Sequence, residues 1–359
     1  MPPIAYFVSP HGFGHATRAA AVMAAIQTLE PAAHFEIFTQ APEWLFQVSL
    51  SGSFTYHSLM SDIGLVQKSP LEEDLGATLQ RLEAFLPFDR ELVKSLAEQV
   101  RDLGCQTLVC DIAPLGIAVA ALAGIPSILI ENFTWDWIYA GYMDAETGFS
   151  RHIEYLRQVF RSARYHIQTE PVTFYTPSDL ITHPVSRLAR TPSSQTRQRL
   201  GVPEDAKMVL VTMGGIESPL AFANHPSAQE DLYFVVPGGS PNSSAHNRIL
   251  LPHHSDFYHP DLVHACDAIV GKAGYSTLAE AYQAGVAYIY TARASFRETD
   301  SLTAFIQKEL GGFEIQAEEF LGGSWIPGLV EILKRPRRKV ERVNGAEEVG
   351  RFILKRLYV

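Results

Sequence analysis

The chain of 359 residues has few cysteines and no long apolar run. Its 3 cysteines form no Cys-x-x-Cys pair, which argues against a disulfide framework and a zinc site. No apolar run reaches the roughly 18 residues of a membrane span, so we expect no integral membrane helix. The N-terminal apolar stretch follows no basic segment and is not typical of a secretory signal, and we expect a reducing, cytoplasmic setting.

Common ligand-binding motifs are also missing. The first glycine-rich turn does not complete Gly-x-Gly-x-x-Gly, because position 17 is Thr17. Neither a P-loop nor a His-Glu-x-x-His motif occurs, and the histidines of residues 253–267 do not follow a metal-binding spacing. We therefore expect no metal and no cofactor.

Positive charge is scarce in the first part of the chain. Residues 1–150 contain 6 basic and 17 acidic residues, although the whole chain has a formal net charge of only −10. An acidic surface repels phosphate backbones and anionic lipids at long range, so we expect no nucleic-acid partner. Solvated helix faces explain the same charges equally simply. The basic residues of 334–359 indicate either a nucleic-acid patch or mixed contacts along a terminal helix.

Apolar runs typical of buried strands, among them residues 107–112 and 125–132, alternate with helical segments along the chain. The helical segments include the alanine-rich residues 18–29 and residues 114–123, which we expect to end at Gly124. A proline-rich stretch, residues 169–203, interrupts this alternation and is the best candidate for a linker. The pattern predicts an α/β protein with two Rossmann-like, doubly wound domains that face each other across a ligand-binding cleft. We place the first domain at residues 1–185, the second at 186–335, and a C-terminal helix that crosses back at 336–359.

Two histidines flank the first turn, where a strand gives way to a helix. Gly12 and Gly14 allow the backbone to approach a ligand closely, and His11 and His15 are candidate general bases. A tight turn with incidental histidines is the alternative. Asp111 ends a later strand and is a candidate base, a partner that fixes a histidine tautomer, or a helix cap.

A second constellation follows the strand-like run that ends near residue 272. Lys272, the hydroxyls of Ser276 and Thr277, and the first helical N–H groups suit a diphosphate. Glu280, one turn further on, suits the two hydroxyls of a ribose. The alternative is a helix cap, with Ser276 or Thr277 as the N-cap and Glu280 completing a capping box.

A third segment, residues 131–137, is rich in aromatic side chains. Phe133, Trp135 and Trp137 offer flat surfaces on which an apolar or sugar acceptor stacks, and Glu131 accepts hydrogen bonds. Packing of a tryptophan in the core is the alternative.

The motifs HGFGHATR, residues 11–18, and GKAGYSTLAEAYQAG, residues 271–285, resemble glycosyltransferase family 28 of the two-domain GT-B type. The resemblance spans nearly the whole chain and extends to proteins similar to a domain attached to sugar kinases. It implies that the first domain binds an acceptor and the second a nucleoside-diphosphate sugar, with uridine as the expected base. The chain lacks the Gln-Gln or Asp-Gln pair that relatives carry near residues 297–300, so the sugar stays open.

Resemblance and pattern together give the candidate residues. The catalytic ones are His15 as the base, His11 as the second candidate, and Asp111. The acceptor-binding ones are Glu131, Phe133, Trp135 and Trp137. The donor-binding ones are Gly14, Gly214, Gly215, Lys272, Gly274, Tyr275, Ser276, Thr277, Glu280, Arg297, Glu298 and Asp300.

The expected reaction is inverting transfer of a sugar to a hydroxyl-bearing small molecule. A nucleotide-sugar hydrolase or 2-epimerase of the same fold is one alternative, and a non-catalytic nucleotide-sugar-binding protein is another. The sequence predicts no oligomeric state.

Overall fold

The computed structural model describes residues 1–69, 72–213, 231–238, 247–252, 255–293, 295–334 and 342–357. The described residues form an α/β protein with two parallel sheets of 7 and 5 strands, and the predicted fold class is confirmed. By their contacts, the residues divide into two compact units. Unit 1 comprises Met1–Arg187, Ser295–Glu298 and Asn344–Val359, and unit 2 comprises Leu188–Ala294 and Thr299–Val343.

Many of the strands coincide with apolar runs of the sequence. They are β1 (Ile4–Val8), β2 (Phe35–Thr39), β3 (Phe54–Ser58), β4 (Gln67–Ser69), β5 (Glu72–Glu73), β6 (Thr107–Asp111), β7 (Ser127–Glu131), β8 (Tyr165–Thr169), β9 (Leu180–Thr182), β10 (Lys207–Thr212), β11 (Leu232–Pro237), β12 (Arg248–Leu251), β13 (Ala268–Lys272) and β14 (Ala287–Thr291).

Helices connect most of the strands. They are α1 (Gly14–Leu29), α2 (Trp44–Gln47), α3 (Leu75–Phe85), α4 (Arg90–Asp102), α5 (Pro114–Ala123), α6 (Trp135–Ala140), α7 (Ser150–Arg161), α8 (Ser193–Leu200), α9 (His259–Ala265), α10 (Tyr275–Ala284), α11 (Thr299–Phe305), α12 (Ala317–Gly322), α13 (Ile326–Leu333) and α14 (Gly345–Leu357).

The sheet of unit 1 has the order β3-β2-β1-β6-β7-β8-β9, with every neighbouring pair parallel. Alternate residues of β1 belong to two different cores, Ala5 and Phe7 to one and Ile4, Tyr6 and Val8 to the other. This is the period of two that a strand covered on both faces requires. Strand order reverses between β1 and β6, and ligands of open α/β sheets bind at the carboxyl ends of strands beside such a reversal.

The sheet of unit 2 has the order β12-β11-β10-β13-β14 and reverses between β10 and β13. Gly271, near the end of β13, pairs with Thr212 of β10. A Cβ atom on Gly271 would lie 1.8 Å from the Thr212 carbonyl oxygen, so only glycine fits there.

The predicted linker is partly regular structure. Residues 169–203 contain β9, the edge strand of the larger sheet, and α8. The two units separate between Arg187 and Leu188, within that stretch. The prolines of this stretch lie outside β9, so none of them interrupts the hydrogen bonds between β8 and β9.

The last helix, α14, belongs to unit 1. Ala346, Val349 and Ile353 share one core with the apolar face of α1. Gly350 lies against α1 as well, with Ile26 3.3 Å from the position of a Cβ atom.

Candidate active site

Helix α1 begins earlier than the alanine-rich stretch Arg18–Leu29 from which it is predicted. Gly12 has a left-handed φ of 65°, Phe13 is the N-cap, and the helix starts at Gly14. His15 therefore lies in the first turn and Arg18 one turn later, on the same helix face. Both side chains point to the carboxyl end of β6, across the strand reversal.

His15, Arg18 and Asp111 form a buried cluster at that reversal. Arg18 donates from Nε to Asp111 Oδ2 at 2.8 Å and from Nη2 to Oδ1 at 2.6 Å. His15 Nδ1 lies 3.2 Å from the same Oδ1 and 3.3 Å from Arg18 Nη2. Arg18 is 1% exposed and Asp111 fully buried, so water does not compete for these bonds.

The arginine keeps Asp111 ionised. Burial alone would raise the pKa of this carboxyl, but the charge and hydrogen bonds of Arg18, together with the His15 contact, lower it below its usual value. An ionised carboxylate that already accepts three contacts is suited to orient a histidine and poorly suited to act as a base. Ile112, which follows directly, has a φ of 41°, a strained conformation for a β-branched residue and one that is common beside functional sites.

Asn132 extends the cluster. Its Oδ1 accepts from Arg18 Nη1 at 2.6 Å, and its Nδ2 donates to Glu298 Oε1 at 2.7 Å. Glu298, predicted to bind the donor sugar, thus contributes to the hydrogen bonds that hold Arg18 in unit 1. Sequence reasoning missed both Arg18 and Asn132. A single arginine within a run of alanines was the available signal, because a buried cation needs a partner.

His11 is held differently from His15. Its Nδ1 accepts a hydrogen bond from the Leu65 backbone N–H at 3.3 Å. A neutral His11 then carries its hydrogen on Nε2, which makes that nitrogen a donor. Its ring also packs edge-on against Trp135, with centroids 5.1 Å apart.

Asp62 is a buried carboxyl beside these residues that sequence reasoning also missed. Ser9 Oγ donates to Oδ1 at 3.0 Å, and Trp135 Nε1 donates to Oδ2 at 2.9 Å. Burial raises the pKa of Asp62 to about 7, with a smaller contribution from the negative charge of Asp111, while the two hydrogen bonds oppose the rise. No local sequence signal marks Asp62, since its partners come from distant segments.

Two of the predicted acceptor-binding rings are buried. Phe133 is 4% exposed and Trp135 1% exposed, and their ring centroids lie 5.2 Å apart. His15 packs against both, at 5.7 Å and 6.3 Å. These rings support the imidazole and expose little surface on which an acceptor could stack.

The other two predicted acceptor residues, Glu131 and Trp137, contact a different set of side chains. Glu131 Oε1 accepts from Gln168 Nε2 at 2.9 Å and lies 2.7 Å from His166 Nε2. Burial alone would lower the pKa of His166, but the bond to Glu131 and its charge raise it. The half-buried Trp137 ring is covered by the Arg297 guanidinium at 4.0 Å, and Arg297 Nη1 donates to the Trp137 carbonyl at 2.5 Å.

The second constellation lies at the start of α10, in unit 2. Gly274 is the N-cap, and no side chain caps the helix, so the alternative of a capping box completed by Glu280 is wrong. Lys272 and Ser276 are half-buried, whereas Tyr275 and Thr277 are buried. The first N–H groups of an α-helix have no intrahelical partner, and at the start of α10 this suits an anion beside Lys272.

Glu280 is buried one turn into α10 and has a histidine partner. Its Oε2 lies 2.7 Å from Nδ1 of His259, the first residue of α9. His259 fixes one carboxylate oxygen and so orients the other. Sequence reasoning did not single out His259.

The last three predicted donor-binding residues are Asp300, Gly214 and Gly215. Asp300 is exposed in the first turn of α11. Gly214 and Gly215 lie outside the described residues.

Within the described ranges, no group of three or more His, Cys, Asp or Glu residues could hold a metal ion. In the same ranges, no helix is long and apolar enough to cross a membrane.

Comparison with solved structures identifies the fold. A UDP-glucosyltransferase from Polygonum tinctorium, in complex with 3,4-dichloroaniline, is similar with a TM-score of 0.66 and 14% identity over 100% of this chain and 99% of that chain. MurG of Acinetobacter baumannii is similar with a TM-score of 0.58 and 15% identity over 99% of this chain and 100% of that chain. The chain has the GT-B fold of these proteins. At these identities the likeness establishes the GT-B fold, and function has to be argued from the site.

Sequence comparison adds one relative. L-arabinokinase of Arabidopsis thaliana is 29% identical over 352 residues, which are 96% of this GT-B chain but 33% of the kinase. The chain thus spans about a third of the length of the relative that it matches. No family model matches the chain.

Proposed function

We propose that this GT-B protein is an inverting glycosyltransferase, which moves a sugar from a uridine-diphosphate sugar to a hydroxyl of a small molecule. The observation that carries the proposal is the contact of His15 Nδ1 with the buried, ionised Asp111, which Arg18 holds in place. The resemblance to family 28 and the fold shared with a UDP-glucosyltransferase support the donor class. The likeness to part of an L-arabinokinase supports a sugar-containing ligand.

His15 acts as the base in the proposed reaction. A hydrogen on Nδ1 donates to Asp111 Oδ1, because a carboxylate oxygen can only accept, and this leaves the Nε2 lone pair for the acceptor hydroxyl. As the acceptor oxygen bonds to the anomeric carbon, the bond from that carbon to the diphosphate breaks and the hydroxyl proton moves to Nε2. Asp111 then stabilises the imidazolium.

Unit 2 supplies the donor-binding groups. Lys272, the half-buried Ser276 and the N-terminal N–H groups of α10 stabilise the negative charge on the departing diphosphate. Glu280, which His259 orients, accepts hydrogen bonds from the ribose hydroxyls.

A thermal-shift screen of nucleotide sugars tests the donor class. At a ligand concentration 100 times its Kd, binding stabilises a protein by about 2.7 kcal/mol, which raises the unfolding midpoint measurably. We expect uridine-diphosphate sugars to raise the midpoint of the wild type, and of the surface control Glu331→Gln, more than that of Lys272→Ala. A panel in which no nucleotide sugar changes the midpoint would contradict the proposal.

The burial of Phe133 and Trp135 favours a second candidate, a nucleotide-sugar hydrolase or 2-epimerase. With these rings unavailable for stacking, water or the sugar itself would take the place of the acceptor. Release of nucleoside diphosphate at full rate without any acceptor would support the second candidate over the first.

A further inference from the structure

Asp62 lies in the segment between β3 and β4 and is 2% exposed. Its two oxygens accept from Ser9 Oγ and Trp135 Nε1, and both donors are neutral. An ionised carboxyl that is buried among neutral hydrogen-bond partners destabilises the folded state, because no opposite charge compensates for the loss of solvation. The proposed reaction does not use this group directly.

Each hydrogen bond of Asp62 leads to a histidine of the candidate site. Ser9 Oγ also accepts from the His11 backbone N–H at 3.3 Å. The Trp135 ring contacts the rings of both His11 and His15. The hydrogen bonds of Asp62 therefore hold both the loop that carries His11 and the Trp135 ring that packs against His15.

The segment that carries Asp62 also contacts His11 from a second direction. Leu65 donates its N–H to His11 Nδ1. Gly64 has a φ of 61°, and a Cβ atom there would lie 2.6 Å from the His11 ring. This close approach permits only glycine and shows that the ring and the segment are fitted to each other.

We propose that Asp62 is a positioning residue of the proposed sugar transfer, and that it holds His11 and His15 in one arrangement through Ser9 and Trp135. The inference rests on the proposed function for its kinetic test only. The arrangement itself can be tested without turnover.

Several titratable or charged groups surround Asp62. Asp111 faces it from the end of β6 and Tyr139 from α6, and each is electrostatically coupled to it. His11 lies on the loop after β1, and His15 and Arg18 lie on α1. Because the pKa of Asp62 is raised to about 7, the group exchanges its proton within the range in which histidines work.

Asparagine imitates the neutral carboxyl. In Asp62→Asn the side-chain oxygen can accept from Trp135 Nε1, while the amide donates to Ser9 Oγ, which accepts through its second lone pair. Asp62→Ala removes both bonds. Glu36→Gln is the matched control, because Glu36 is also a buried carboxyl of unit 1, with His34 and His57 as its partners.

The kinetic test compares these variants with the best nucleotide-sugar donor. We expect Asp62→Ala to lower kcat by about 10- to 100-fold with little change in the donor KM, since misplacement of catalytic groups by about 1 Å has effects of that size. Asp62→Asn should restore most of kcat, and Glu36→Gln should leave kcat unchanged. Equal losses in Asp62→Ala and Asp62→Asn would overturn the proposal.

Side-chain ¹⁵N–¹H spectra of the histidines test positioning without turnover. The signals of His11 and His15 are assigned by their loss in His11→Ala and His15→Ala. They should shift in Asp62→Ala and stay in place in Glu36→Gln. Ser9→Ala removes one of the two hydrogen bonds of Asp62, together with the bond from the His11 N–H, and should also shift the signals; it serves if Asp62→Ala does not fold. Unchanged signals in a folded Asp62→Ala or Ser9→Ala would overturn the proposal. If no donor is turned over, the proposed function fails while this test still stands.

The pH dependence of the unfolding midpoint tests whether Asp62 titrates in the folded protein. In the folded chain the pKa of Asp62 lies above its ordinary value of 3.8, so the neutral form is favoured by folding and its contribution is lost as pH rises through about 7. The unfolding midpoint of Asp62→Asn should therefore rise relative to that of the wild type as pH increases from about 4 to about 7. Above about pH 7 the difference between the two midpoints should stay constant. A difference that is independent of pH would contradict a buried, titrating Asp62.

Discussion

His15 and His11 differ in the ring nitrogen that each leaves for a substrate. The Nδ1 atom of His15 lies against the carboxylate of Asp111, whereas that of His11 accepts a backbone N–H from Leu65. In the tautomer that donates from Nδ1 to Asp111, His15 has a lone pair on Nε2, whereas a neutral His11 carries its hydrogen on Nε2. On this ground His15 is the stronger choice as the base, and His11 is suited to donate to an anionic group.

Replacement of His15 tests this assignment. General-base catalysis contributes about 10²–10⁴-fold, so His15→Ala should lower kcat by that factor with little change in donor affinity. His11→Ala is the matched control and should reduce kcat less. Turnover that is abolished in His11→Ala but retained in His15→Ala would show that the wrong base is assigned.

Replacement of Glu280 tests the donor site. Loss of a hydrogen bond to a charged group costs about 1.5–3 kcal/mol, so Glu280→Ala should weaken binding of uridine diphosphate roughly 10- to 150-fold in calorimetry. Glu331→Gln, on the exposed surface of α13, should bind as the wild type does. An affinity that is unchanged in a folded Glu280→Ala would leave the pair with His259 as a purely structural contact.

Local pattern reveals some site residues and hides others. His11, His15 and Asp111 follow strand ends, which is where ligands of α/β sheets bind, so position along the chain was enough to single them out. Asn132 and Asp62 are placed by partners about 50 to 165 residues away, and no spacing rule encodes such contacts. The burial of Trp135 likewise depends on packing that a segment of seven residues cannot specify.

At the scale of elements, hydrophobic pattern was informative because parallel strands covered on both faces must be apolar throughout. The buried runs 107–112 and 125–132 became β6 and β7, and Gly124 ends α5 with a left-handed φ of 72° as predicted. The edge strand β9 was missed, because the strand is short, partly exposed and close to prolines in the sequence. The N-terminal turn of α1 was missed because two glycines are poor helix formers.

The packing of α14 on α1 gives a prediction for stability. Ile353 is fully buried in the core that the two helices share, and loss of a buried isoleucine side chain costs about 2–5 kcal/mol. Ile353→Ala should lower the stability of unit 1 by that amount in denaturant unfolding followed by near-ultraviolet circular dichroism. Arg351→Ala, on the exposed face of the same helix, should change it by less than about 1 kcal/mol. A loss no larger in Ile353→Ala than in Arg351→Ala would show that α14 does not depend on this core.

For the whole molecule, uneven charge limits the choice of acceptor. Residues 1–150, with 17 acidic and 6 basic residues, should repel anionic bilayers and polyanions, which favours a neutral or cationic acceptor. We expect no co-sedimentation with anionic vesicles even at low ionic strength, where screening is weakest. Neutral vesicles are the control. Strong binding to anionic vesicles that salt reverses would indicate a membrane-bound acceptor.

Analysis of the products from a nucleotide-sugar donor shows whether this protein transfers a sugar. Purified protein is incubated with uridine-diphosphate sugars and a mixture of neutral hydroxyl-bearing acceptors, and both nucleoside diphosphate and glycoside are quantified by mass spectrometry. We expect equal amounts of the two products, an inverted anomeric centre in the glycoside by NMR, and a rate lower by about 10²–10⁴-fold in His15→Ala. Nucleoside diphosphate released without any glycoside, or at the same rate in His15→Ala, would contradict the proposed function.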